Sequence, residues 1–108
     1  MKYEDGLSLG EIIERLKNEP ADNRLAIGFC LGLSYRGYYE CLAFKPAMNV
    51  TVELMLIEAQ RCVGRTFDGY KGGEYEMTLD TECYLADWGE CGPPITYKLL
   101  DLLLSVRV

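Results

Sequence analysis

The feature that most constrains this chain is a change of hydrophobic period along its length. Leu9, Ile12, Ile13 and Leu16 recur at helical spacing, so they share one face of a helix turning every 3.6 residues. Ser8 and Glu11 stand at capping-box spacing, Leu7 and Ile12 are placed for the accompanying hydrophobic staple, and Pro20 closes the segment. This pattern predicts a helix over residues 9–18. Immediately downstream the period falls to two. Leu25, Ile27 and Phe29 alternate in a first strand over 24–30, where Gly28 and then Gly32 permit a close backbone approach or a turn. After a turn at 34–37, Tyr38, Glu40, Leu42 and Phe44 alternate in a second strand, which Pro46 is expected to end.

The same switching continues to the C-terminal residues. Thr51 is placed to N-cap a second helix with Glu53 in its first turn, a buried stripe of Val52, Met55, Leu56, Ala59 and Val63, and Gly64 at C′. Short strands over 74–79 and 82–87 are expected to pair as a hairpin about Asp80-Thr81. The Gly- and Pro-rich stretch 88–94 reads as loop, with Trp88 suited either to cover the core or to wall a pocket. Leu99, Leu100, Leu102, Leu103 and Leu104 are nearly continuous, so periodicity fits helix or strand; leucine content and length favour a buried terminal helix. Helical and alternating segments interleaved in 108 residues imply a single α+β domain over 1–108. Its expected architecture is a small antiparallel or mixed sheet of about four strands packed against two or three helices.

Composition narrows the chemistry. Hydrophobic residues make up 49% and charged residues 26%, a globular balance in which one modest core forms without a disulfide or metal. Seventeen acidic against eleven basic residues give a net charge of −6, which disfavours general nucleic-acid binding and attachment to an anionic membrane. The five cysteines are odd in number and include no C-x-x-C pair, the usage of free thiols in a reducing cytosol. Histidine is absent. That removes Ser-His and Cys-His catalysis and the common zinc ligand sets, so acid–base work near neutral pH would need a perturbed carboxylate, Lys, Tyr or Cys. No cofactor is expected. The first residues, Met1 to Asp5, carry no apolar signal region, and no apolar run approaches the ~20 residues of a membrane span, so a cytoplasmic location is expected.

Two segments combine a base with glycine and tyrosine. In the first, Ser34 offers a hydroxyl, Tyr35 and Tyr38 offer flat faces with polar tips, Arg36 offers a planar fork of donors, and Gly37 lets the chain turn. In the second, Tyr70 and Lys71 stand among Gly69, Gly72 and Gly73, whose backbone N–H groups are suited to an anion-binding nest. Neither is a Walker A or G-x-G-x-x-G fingerprint. Each alone is as well explained by packing or by a flexible connector. Together they suggest a pocket for a phosphate-bearing, stackable small molecule, with Ser34, Tyr35, Arg36, Gly37, Tyr38, Tyr70, Lys71, Gly72 and Gly73 as ligand-binding residues. Carboxylates are dense in the C-terminal half: Glu74, Glu76, Asp80, Glu82, Asp87 and Glu90. On a strand Glu74 and Glu76 share a face, which suits a solvated acidic surface, a basic protein partner or imitation of DNA phosphates. Nothing in their spacing fixes a metal geometry. Cys91 has no base beside it in sequence to make it a nucleophile.

The runs Ser34-Tyr35-Arg36-Gly37-Tyr38-Tyr39 and Gly69-Tyr70-Lys71-Gly72-Gly73, with Leu42-Ala43-Phe44, Asn49-Val50-Thr51-Val52 and Leu85-Ala86 near Gly89, resemble a family of small tailed-bacteriophage proteins over roughly residues 9–95. The resemblance implies a counter-defence setting, in which such proteins sequester a nucleotide immune signal or bind an effector protein. The first role is a non-catalytic sponge for a cyclic ADP-ribose isomer or cyclic dinucleotide, with Arg36 and Lys71 neutralising phosphates, Ser34 adding a hydrogen bond and a tyrosine stacking on a base. The alternative is an acidic inhibitor of a host defence nuclease or CRISPR effector. A nucleotide-degrading enzyme is disfavoured by the absence of histidine and of a metal motif. A homodimer or higher homo-oligomer is expected by analogy with other sponges, through the leucine-rich C-terminal segment.

Overall fold

A computed structural model describes residues 6–35, 40–68, 74–87 and 90–108. Its first helix, α1 (Leu9–Lys17), begins as its sequence dictates. Ser8 Oγ accepts from the Glu11 N–H at 3.2 Å, and the Glu11 carboxylate accepts from the Ser8 N–H at 2.9 Å. This reciprocal box satisfies two backbone donors that a helix start leaves unpaired. Leu9, Ile12, Ile13 and Leu16 are buried as the spacing requires.

The longest pairing joins β1 (Arg24–Ser34) to β2 (Leu42–Thr51) in antiparallel register, from Arg24 opposite Thr51 to Ser34 opposite Leu42, with a shift between Phe29 and Gly32. Alternation along β1 is not regular. Leu25 and Phe29 are buried, whereas Ile27 is half exposed beside its cross-strand partner Met48. The cause lies across the ladder: Asn49 adopts a left-handed conformation at φ 56°. It interrupts the pleat between the buried pair Leu25–Val50 and the exposed pair Ile27–Met48. Asn is one of the few non-glycine residues that tolerate this region. Pro46 does not end β2. Pro46 stays in register opposite Phe29 of β1, while pairing with the next strand stops at Phe44, so on that side Pro46 lies on an open edge of β2, where a proline is tolerated.

Helix α2 (Val52–Cys62) starts at Thr51, whose side chain accepts from the Leu54 N–H. Its buried residues are Val52, Met55, Glu58, Ala59 and Cys62. Leu56 is half-buried, and Val63, expected on this stripe, is the extended C-cap and exposed. Gly64 follows at φ 79°, the left-handed C′ position. Helix α2 lies against β1 at Gly28 and Gly32, where an added Cβ would come within 2.8 Å of Met55 Sδ and 2.6 Å of Cys62 Sγ. The two glycines thus serve close helix–sheet packing.

The hairpin expected about Asp80-Thr81 does not form. Instead β3 (Thr66–Asp68) pairs antiparallel with β4 (Glu74–Glu76), while β5 (Cys83–Leu85) joins β2 in parallel through Leu42–Cys83, Ala43–Tyr84 and Phe44–Leu85. Residues 78–81 are committed elsewhere. The carbonyls of Leu79 and Thr81 accept from the N–H groups of Gly10 and Leu9, both at 2.8 Å. Thr81 Oγ1 accepts from the Thr78 N–H at 2.8 Å. The segment is therefore a turn that receives the N-terminus of α1. Among the described residues the result is a three-stranded mixed sheet, a separate two-stranded pair and three helices, an α+β fold.

The last helix, α3 (Tyr97–Ser105), is capped by Thr96 and buries Leu100, Leu103 and Leu104 in the protein's own core, leaving Leu102 exposed. After it, the Val106 carbonyl accepts from the Ala26 N–H and the Val108 N–H donates to the Arg24 carbonyl, laying the final residues along β1. One core gathers Leu9, Ile12, Leu16, Phe29, Phe44, Met55, Met77, Ile95 and Leu100 from all these elements. Among the described residues no helix is long and apolar enough to cross a membrane.

Candidate functional site

Of the nine residues that the sequence nominates, the structure describes Ser34 and Tyr35; Arg36, Gly37, Tyr38, Tyr70, Lys71, Gly72 and Gly73 lie outside the described residues, as does Trp88. The described residues give the frame that holds both segments. Ser34 ends β1 opposite Leu42 and is 2% exposed. Its hydroxyl finds no hydrogen-bond partner among the described residues. Tyr35 continues from it, its N–H donating to the Cys41 carbonyl at 2.7 Å.

The Tyr35 ring stacks on Tyr84 with centroids 4.1 Å apart and planes 16° from parallel. Its hydroxyl accepts from the Gly92 N–H at 3.3 Å and donates to the Gly92 carbonyl at 3.4 Å. One face expected to receive a base is therefore occupied by an internal aromatic partner. Tyr84 in turn donates to Glu82 Oε1 at 2.7 Å, the Cys41 thiol lies 3.9 Å from the same oxygen, and Glu82 Oε2 accepts from the Gly6 N–H at 3.2 Å. The hydrogen bond to the Glu82 carboxylate, with burial, pushes the Tyr84 phenol well above its ordinary range. Burial, and then the negative charges of Glu82 and Glu40, push the Cys41 thiol up as well. Burial above all does the same to Cys83 and Cys62, the latter to about 12. These groups stay protonated near neutral pH, and a thiol that stays protonated is not a nucleophile. The five cysteines are free.

Beside this network lies a cavity of about 360 Å³ lined by Glu40, Cys41, Glu76, Thr78, Asp80, Thr81 and Glu82. Glu40 follows the first segment directly, and Glu76 stands three residues beyond Gly73 of the second. The flanks of the two segments thus meet across one cavity, and the described residues among them bring carboxylates to it. Glu74 and Glu76 are both exposed on β4, on either side of half-buried Tyr75, which is the shared face expected of them. Among the described residues no group of three or more His, Cys, Asp or Glu is arranged to hold a metal ion.

Sequence reasoning missed the buried carboxylate Glu58. It accepts from the Gly32 N–H at 2.9 Å, where the β1–β2 register shifts, and lies within reach of Cys62 Sγ at 3.7 Å and of Arg61 at 3.5 Å. The available signal was its position, three residues after Met55 on the apolar stripe of α2. Its role is to satisfy a donor that the bulge removes from the ladder. The cavity itself was missed because Cys41 and Glu82 come together only through the parallel β2–β5 pairing. Comparison with protein-family models, with curated proteins and with solved structures finds no match.

Proposed function

We propose that this chain is a non-catalytic binding protein of the cytoplasm whose acidic cavity receives a basic protein surface. One observation carries the reading: the flanks of both loop segments converge on Glu40, Glu76, Asp80 and Glu82, and the described residues lining the cavity include no Lys or Arg. Like charges gathered in one place repel one another, and an incoming cation relieves that repulsion while a phosphate would add to it. In the setting that the phage-protein resemblance implies, the partner is a host defence nuclease or effector, whose nucleic-acid groove is basic.

The test is retention of a host protein by the wild-type chain and by the Glu40→Lys/Glu76→Lys variant, both exposed positions. The expected partner is held by the wild type, lost by the variant and weakened by salt. Equal retention by both proteins would remove the cavity from the interface.

A second reading, sequestration of a nucleotide-derived signal, keeps one observation in its favour. The Ser34 hydroxyl is buried without a partner among the described residues, at the start of the segment that carries Arg36. A ligand phosphate is the kind of group that would satisfy it. Calorimetric titration with cyclic ADP-ribose isomers and cyclic dinucleotides decides this reading. Binding weaker than about 10 μM, roughly −7 kcal/mol, is too weak for sequestration.

A further inference from the structure

We propose that the interface extends over the 78–82 turn into a second groove, and that this groove docks a basic segment of the partner carrying one large apolar anchor. The inference rests on the protein-binding reading above and names the chemistry of the bound segment. The groove has a volume of about 560 Å³ and runs between α1, the turn and the start of α3. Its apolar wall is Leu79, Tyr97 and Ile13. Leu79 and Tyr97 are 54% and 48% exposed, so both retain apolar surface to bury. Around them stand the carboxylates of Glu11, Glu14 and Asp80, with Lys17 the one base among the described lining residues. Asp80 lines the acidic cavity too, which makes groove and cavity one continuous surface.

Leu79 is not the tip of a slack loop. Its carbonyl is bonded to Gly10, the Thr81 carbonyl is bonded to Leu9, and the turn is closed by the hydroxyls of Thr78 and Thr81. Gly10 fits tightly there, since an added Cβ would lie 3.2 Å from the Leu79 carbonyl oxygen. The exposed leucine is thus presented on fixed backbone, and a preformed contact loses little ordering entropy when a partner binds. An apolar centre ringed by carboxylates complements a leucine or aromatic side chain flanked by lysine and arginine. It opposes an anionic membrane and nucleic acid alike.

The probe is a short fluorescein-labelled peptide with a central leucine flanked on both sides by lysine and arginine, its binding to the full chain followed by anisotropy. Leu79→Ser is expected to weaken binding about tenfold, the order expected for the loss of one buried leucine contact. Replacing the peptide's central leucine by serine is expected to do the same, and this arm does not depend on how the protein variant folds. Asp80→Lys weakens binding strongly, whereas Asp22→Lys, at an exposed position that lines neither cavity nor groove and with the same change in net charge, has less than about a threefold effect. If both leucine replacements leave the affinity unchanged while Glu40→Lys/Glu76→Lys abolishes it, the groove is overturned and the cavity stands. Failure of the wild type to bind the peptide at low salt overturns the groove as well. Indifference to all of these charge reversals overturns both readings.

Discussion

Glu58 shows how one charged residue can be spent on folding rather than on function. It lies on the buried stripe of α2 and supplies the acceptor that Gly32 lacks where β1 shifts register. Removing the acceptor leaves a buried N–H unpaired, so Glu58→Ala is expected to destabilise the fold by about 2–3 kcal/mol in urea unfolding, with Glu58→Gln costing less because an amide oxygen remains. An alanine variant as stable as the wild type would show that water replaces the carboxylate. Titration offers a second check. The Tyr84 phenol is raised by its bond to Glu82 and by burial, and the Cys62 thiol is raised by burial and then by the charge of Glu58. A group whose folded pKa exceeds its unfolded value contributes stability that is fully present below the unfolded value and is lost as pH rises through the folded one. For Cys62 that window runs from about 9 to about 12. Unfolding midpoints should therefore fall above pH 9, and more shallowly in Glu82→Gln, where Tyr84 and Cys41 lose the carboxylate that holds their protons. A slope unchanged by that substitution would assign the alkaline loss to other groups.

The elements were legible from sequence wherever a local rule decided them. The capping box before α1, the Thr51 cap, Gly64 and the leucine-rich α3 were readable because each depends on neighbours a few residues away. Pairing was not readable, because it depends on distant partners. Asp80-Thr81 reads as a hairpin turn until the N-terminus of α1 claims the carbonyls around it. Once it does, β4 folds back on β3 and β5 crosses to β2. Three-residue β3 carries too short a pattern to stand out beside a glycine-rich stretch. Pro46 misled for the same reason, since whether a proline ends a strand depends on whether a neighbour needs its N–H. Asn49 is the local price of the β1–β2 register. Asn49→Ala should destabilise by about 1 kcal/mol because its left-handed backbone disfavours a β-carbon, while Asn49→Gly should be close to neutral. Equal stability of the two variants in urea would mean that the strand relaxes to another register there.

At the scale of the whole molecule, the acidic balance read from composition becomes a surface with a place. The dense carboxylates of the C-terminal half were visible in sequence, but not that Glu40 would join Glu76, Asp80 and Glu82 around one cavity. Ser34 was nominated to hydrogen-bond a ligand and Tyr35 to stack on one; burial of the first and stacking of the second on Tyr84 follow from strand pairings that no local pattern encodes. Of the leucines expected to serve an oligomer, Leu100, Leu103 and Leu104 are buried in the core, Leu99 is partly buried and Leu102 is exposed. A different hazard of assembly follows from the way the last residues lie along β1. That strand ends the sheet, and at its start the amide of Ala26 and the carbonyl of Arg24 are bonded to Val106 and Val108. Backbone groups left bare in such a row template the addition of another chain. Truncation before Val106 is therefore expected to increase light scattering with concentration relative to the full chain, and equal scattering would refute this. The three closing residues act as a selvedge, keeping the fabric of the sheet from being woven into its neighbours.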